Sequence, residues 1–229
     1  MSILTENDIE MAAIEDLVAL GYEYVYGGTI APDGPTPERQ SYSDVILEGR
    51  LSRAIQRLNP DIPAHAQMQA LREVLRIKSP DLLADNEAFH KLLIEGVPVQ
   101  YVKNGQGKSD LVWLIDFGNW QNNAFLVVNQ YTIIENTSRT FNKRPDVLLF
   151  VNGIPVVDIE LKNAVGETTT VQKAYQQIQT YKATIPSLFT YNAFCIITDG
   201  FECRAGTISA NESRFCRGKL PMDKPKPPV

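Results

Sequence analysis

The sequence predicts an α/β domain, and three observations carry that prediction. Apolar residues recur at helical spacing in four segments before Pro98; from Pro98 the pattern changes to short strands; and after a central hairpin a helix stands before one more apolar strand. With 229 residues, 44% of them hydrophobic and 21% charged, the chain can bury one sizeable core. One large domain over residues 1–216 is therefore expected. Residues 217–229 turn to Lys and Pro, the composition of a linker or tail, and point to something beyond Val229 in a parent protein.

Taken in order, Thr5-Glu-Asn-Asp8 is a capping-box start, after which Ile9, Ala13, Leu17 and Leu20 recur at helical spacing until Gly21. Tyr22 to Tyr26 is a short strand, followed by Gly27-Gly28 and a loop rich in Pro and Gly. Helices are expected over 42–58, stopped by Asn59-Pro60, over 63–77, with Pro63 at the first helical position, and over 80–95, ending at Gly96. Leu47, Leu51, Ala54 and Leu58 form the core stripe of the first. Strands are expected over 99–102, 111–117 and 124–134. The intervening Asn104 to Ser109 ends in Gly-Lys-Ser, but a phosphate-binding loop needs glycine where Val102 stands and a helix afterwards; the segment is a hairpin loop. Asn129 and Gln130 interrupt the third strand, either as polar groups near a site or as cross-strand partners. A helix over 168–184, a strand over 191–198, a turn at Asp199-Gly200 and a strand over 203–209 complete the chain.

The chemistry-bearing stretch is Arg144 to Lys162, RPDVLLFVNGIPVVDIELK. Two apolar, β-branched runs flank Asn152-Gly153, the dipeptide that accepts two positive φ angles, so the segment is a hairpin. Alternation in its second strand puts Val157, Ile159 and Leu161 on one face and Asp158, Glu160 and Lys162 on the other. Asp146, Glu160 and Lys162 spell P-D-x13-E-x-K, the pattern of metal-dependent phosphodiesterases. Mg2+ is small and hard and is commonly held by one or two carboxylates plus phosphate oxygens. Asp146 and Glu160 are candidates for those carboxylates, and the carbonyl of Leu161 offers a third ligand. Such a cation lowers the pKa of its water and stabilises charge on a phosphorane, while Lys162 can orient the water or neutralise the phosphate. The alternative is a surface hairpin carrying a solvated Asp158/Lys162 or Glu160/Lys162 pair.

Two further pairs fall one helical turn apart. Gln177 and Tyr181 share a face of the 168–184 helix, either as an exposed polar face or as a pair holding water or phosphate near the carboxylates. Glu6 and Glu10 either aim a carboxylate at the site or are the solvated first turns of their helix. No apolar run approaches 18 residues and no charged leader precedes an apolar segment, so a soluble, cytoplasmic protein is expected. Three cysteines without a C-x-x-C pair argue against zinc, and two isolated histidines against His-centred chemistry. A net charge of −5 is not that of a protein gripping nucleic acid by bulk electrostatics. If DNA is the substrate, other domains or subunits are expected to supply most phosphate contacts.

The combination of Thr5-Glu6, Glu10, Gly21-Tyr22, Asp146 with Glu160-Leu-Lys162, Phe150-Val-Asn-Gly-Ile-Pro155, Gln177-x-x-x-Tyr181, Thr198-Asp-Gly and Gly206-Thr207 resembles the N-terminal part of the restriction (R) subunit of type I restriction-modification enzymes. The resemblance spans nearly the whole chain. It implies a PD-(D/E)xK nuclease fold, restriction-endonuclease-like, with a mixed central sheet flanked by helices, cutting duplex DNA with Mg2+. It makes Asp146 and Glu160 the metal ligands, Lys162 the catalytic lysine and Gln177 with Tyr181 the supporting pair, with Glu6 or Glu10 matching an acidic first helix. It also implies an ATP-driven translocase and partner specificity and methylation subunits. No Walker motif occurs here, so ATP would act through domains after Val229. The alternatives are a free-standing RecB-like nuclease and a non-catalytic nuclease-like module for docking to partner subunits.

Overall fold

The computed structural model describes residues 5–79, 81–136, 139–162, 170–200 and 202–218. Helix α1 (Glu6–Ala19) starts where the capping box puts it: Asp8 N–H donates to the Thr5 hydroxyl and Thr5 N–H to the Asp8 carboxylate at 2.8 Å. Strand β1 (Glu23–Tyr26) follows. The next helix, α2 (Glu48–Leu58), begins six residues later than its apolar stripe suggests. The Asp44 carboxylate accepts N–H groups of Gln40 and Ser41, fixing a turn there, and Val45, Ile46 and Leu47 are buried outside any helix. Helices α3 (Ala64–Leu75) and α4 (Leu82–Glu95) lie close to their expected places, with Pro63 and Asp81 as N-caps.

Strands β2 (Val97–Lys103) and β3 (Gln106–Val112) form a hairpin apart from the main sheet. Its turn is only Asn104-Gly105, both at positive φ (56° and 76°). Residues expected in a loop therefore belong to β3, and 113–117 are not a strand. The single strand expected over 124–134 is broken at Gln130, whose φ of 55° turns the chain. It becomes β4 (Phe125–Asn129) and β5 (Ile133–Asn136), the latter paired with β6 (Thr140–Lys143). The central hairpin forms as expected: β7 (Val147–Val151) and β8 (Ile154–Leu161) join through Asn152 and Gly153 at φ 52° and 86°. Then come α5 (Thr170–Thr184), a short α6 (Pro186–Thr190) that periodicity did not show, β9 (Phe194–Thr198), β10 (Cys203–Gly206) and β11 (Cys216–Arg217). The expected helix start at 168–169 and most of the Lys/Pro tail, residues 219–229, lie outside the described residues.

The main sheet has the order β1-β4-β7-β8-β9-β10-β11, with β1/β4 and β8/β9 parallel and the other pairs antiparallel. Ile14 of α1 packs on one face against Val127, Val147, Leu149, Val157, Ile159 and Leu161. The other face is covered from α2 and α5, where Leu51, Ile55, Ala174, Ile178 and Tyr181 join Leu148, Phe150 and Ile197. This is the mixed, helix-flanked sheet of a restriction-endonuclease-like fold. Its consequence for the site is that β8 is a central strand, so both faces of the hairpin are interior. Among the described residues no helix is long and apolar enough to cross a membrane.

Candidate active site

Four strand ends meet at one end of the sheet: the start of β7, which Asp146 precedes, and the ends of β4, β8 and β9 at Asn129, Leu161 and Thr198. The hairpin brings Asp146 next to the end of β8, where its carboxylate accepts the Leu161 N–H at 2.9 Å. Lys162 Nζ then reaches three oxygens at once. It donates to Glu160 Oε1 at 3.0 Å and to the Leu161 carbonyl at 2.9 Å, and lies 3.8 Å from Asp146 Oδ2. The ammonium thus marks the place where these three oxygens converge. Asp146 and Lys162 keep part of their side chains in solvent, whereas Glu160 is buried and its Oε2 has no protein partner. An oxygen-only set with one buried oxygen unclaimed fits a hard cation such as Mg2+. No group of three His, Cys, Asp or Glu among the described residues could hold a metal, so any such ion needs the Leu161 carbonyl and oxygens from outside the protein.

Burial sets the electrostatics. Glu160 is pushed well above the ordinary carboxylate range, first by desolvation and then by the Asp146 and Asp158 charges, against the smaller opposing effect of Lys162. Asp158, one alternation back on β8, is pushed up by desolvation and by Asp146. It sits in register with Leu148 and Cys195, both fully buried, and neither of its oxygens has a hydrogen-bond partner. For Lys162 burial disfavours the ammonium, but Glu160 and Asp146, with Glu6 further off, outweigh it and raise its pKa. The solvated surface pair considered as an alternative is not what the structure contains.

The supporting residues arrive from both sides. On α5, Tyr181 is buried and donates to the Arg144 carbonyl at 3.3 Å, two residues before Asp146, and the Gln177 side chain, one turn earlier on the helix, lies beside the Tyr181 hydroxyl. Burial and the Glu160 and Asp158 charges raise the Tyr181 pKa, so it remains a hydroxyl donor. On α1, Glu10 is buried and its two oxygens accept from Asn129 Nδ2 at 2.7 Å and Gln130 Nε2 at 2.9 Å. Gln130 N–H in turn donates to the Asp146 carbonyl at 3.0 Å. Asn129 and Gln130 are therefore partners of Glu10, and the bend at Gln130 ties α1 to Asp146 at the entry to β7.

A cleft of about 890 Å3 between the 38–49 loop, α3 and α6 does not include Asp146, Glu160 or Lys162 and mixes Arg39 and Lys182 with Glu48, Asp85 and Glu135. The carboxylates lie elsewhere, at the strand ends of the main sheet.

A family model described as the type I restriction enzyme R protein N terminus matches residues 3–214. The chain belongs to this family. It is 40% identical to the type I restriction enzyme HindI endonuclease subunit of Haemophilus influenzae over 98% of its length, and 34% identical to the putative type I restriction enzyme MjaIXP endonuclease subunit of Methanocaldococcus jannaschii over 90%. It covers 21% and 20% of those relatives. The type I restriction enzyme EcoprrI endonuclease subunit of Escherichia coli is 26% identical over 93% of the chain, which covers 63% of that relative. The chain thus spans about a fifth of the length of the first two relatives. Within this R protein N-terminal domain, two features escaped the sequence reading. Asp158 was visible as a third charge on the Glu160 face, but its complete burial follows from β8 being central. The Glu10 clamp joins residues more than a hundred positions apart, and only the two interrupting amides hinted at it.

Proposed function

We propose that this chain is the endonuclease domain of a type I restriction R subunit, hydrolysing phosphodiester bonds of duplex DNA with Mg2+ held by Asp146, Glu160 and the carbonyl of Leu161. The observation that carries the reading is the convergence of those three groups on one position at the strand ends of the main sheet, with Lys162 in contact. A bound Mg2+ supplies ionisation of a water and stabilisation of the phosphorane charge. The chain's own residues do the rest. Asp146 is fixed by the Leu161 N–H; Lys162 orients the water or neutralises the phosphate; Gln177 and Tyr181 brace the segment entering Asp146; and Glu10 holds the segment beside it. Duplex DNA is the substrate, cytoplasmic in this reading, delivered by an ATP-driven translocase and by specificity and methylation subunits outside this chain. Two buried carboxylates that cost folding energy support retained catalysis over a pure docking module, which has no use for them.

The test combines calorimetric titration of Mn2+ or Mg2+ with plasmid nicking at low salt. The expected result is metal binding and nicking by the wild type, no metal binding by Asp146→Ala, and no nicking by Lys162→Ala while the circular dichroism spectrum is unchanged. A wild-type chain that binds no metal even with DNA present overturns the reading.

A further inference from the structure

We propose that the β5–β6 ribbon, strands Ile133–Asn136 and Thr140–Lys143 with Arg139 and Arg144 at the two ends of β6, is a built-in clamp for the DNA backbone beside the scissile phosphate; this rests on the nuclease reading above. The ribbon leads straight into the site, since β6 ends at Lys143 and Asp146 follows three residues later. It carries Arg139, Lys143 and Arg144, whereas its one acid, Glu135, accepts from the Ser187 N–H and hydroxyl at 3.2 and 2.7 Å. In a chain of net charge −5 this is a local reversal of sign next to the carboxylates. Arg139 and Arg144 are exposed and Lys143 half-buried. Among the described residues none of the three forms an ion pair, and the contact made by Arg139 is a stack on the Phe141 ring at 4.9 Å.

The ribbon is also rigidly rooted. Ile133 is buried in the core, Ile134 N–H donates to the Tyr42 carbonyl at 3.0 Å, and the buried Tyr131 just before it lies under the Arg39 guanidinium at 3.8 Å. Its pairing places Asn136 opposite Thr140 and Ile134 opposite Asn142. Residues opposite one another share a face, so exposed Asn136, Thr140 and Asn142 form a hydrogen-bonding outer face that continues into Arg144, whereas Lys143, opposite the buried Ile133, belongs to the inner face. At about 3.4 Å per residue, Arg144 lies no more than about 7 Å along the chain from Asp146 and Arg139 no more than about 24 Å. A DNA strand carries one phosphate per 3.4 Å of helix axis, so this span meets several phosphates of the strand being cut. Cations prepositioned on a rooted ribbon would hold that strand in register without reading bases.

The experiment measures duplex binding by the full chain with Ca2+ replacing Mg2+, using fluorescence anisotropy of a 30-base-pair DNA between 20 and 200 mM salt. Each phosphate contact contributes about 0.9 to the slope of log affinity against log salt. The double variant Arg139→Ala/Arg144→Ala is expected to lose about 1.8 from that slope, while Arg139→Lys/Arg144→Lys keeps it. Between 50 and 200 mM salt the double Ala variant's affinity then falls roughly twelve-fold less than the wild type's. An unchanged slope in the double Ala variant, with the wild type binding DNA, overturns the clamp alone and assigns these charges to another partner such as an acidic protein surface. A wild type that binds no duplex at 20 mM salt overturns the clamp, while the nuclease reading stands or falls on the metal titration above.

Discussion

Asp158 offers the sharpest test of the electrostatics at the site. Its carboxyl is fully buried, lacks any hydrogen-bond partner, and is pushed from an ordinary value of 3.8 to about 8. In the unfolded chain it ionises near 3.8; in the folded chain it holds its proton until about pH 8. The folded state therefore binds more protons than the unfolded state across this window, and stability falls as pH rises through it. Each pH unit is worth about 1.36 kcal/mol for one group, so the accumulated cost at pH 7 is on the order of 4 kcal/mol as an upper bound. Glu160 adds a cost of the same sign. Asp158→Asn is nearly isosteric and cannot ionise, so it removes the Asp158 share and leaves an unpaired amide of similar size. Urea unfolding in EDTA at pH 5, 6, 7 and 8 should show the variant gaining on the wild type by on the order of 1 kcal/mol per pH unit up to about pH 8. Parallel stability curves over that range would refute the account of Asp158 as a neutral buried acid.

Two other substitutions probe what positions the site. Glu10→Ala strands the buried Asn129 amide and the half-buried Gln130 amide and should cost about 1–3 kcal/mol in urea unfolding while weakening Mn2+ affinity through Asp146; a loss of stability with unchanged Mn2+ affinity would show that the clamp does not reach the site. Gly153→Ala places a Cβ 2.6 Å from the Leu47 carbonyl at a φ of 86°, so a cost of about 2 kcal/mol or more is expected, and a variant within about 0.5 kcal/mol of wild type would contradict the hairpin geometry.

Sequence alone determined the features that are local in physics. Asn152-Gly153 admits the two positive φ angles of a tight hairpin, and alternation along β8 puts Asp158, Glu160 and Lys162 on one face; both follow from backbone sterics within a few residues. The capping box placed α1, and the 3.6-residue period placed α3 and α4, for the same reason. Where propensity and tertiary contacts compete, periodicity misled. The stripe through Leu47 predicts a helix from 42, but the Asp44 turn and the burial of residues 45–47 outside the helix delay its start to Glu48. The apolar run over 124–134 predicts one strand, but Gln130, at positive φ and donating to the Asp146 carbonyl, bends the chain and divides it. Only the tertiary structure decided that β8 is flanked on both sides and covered on both faces. That position turns a row of charges which could have been solvated into buried carboxyls with raised pKa values, because desolvation depends on what packs from distant parts of the chain. The residue types at the site were legible in order along the chain; their convergence on one point, and the role of Glu10 in holding it, required the fold.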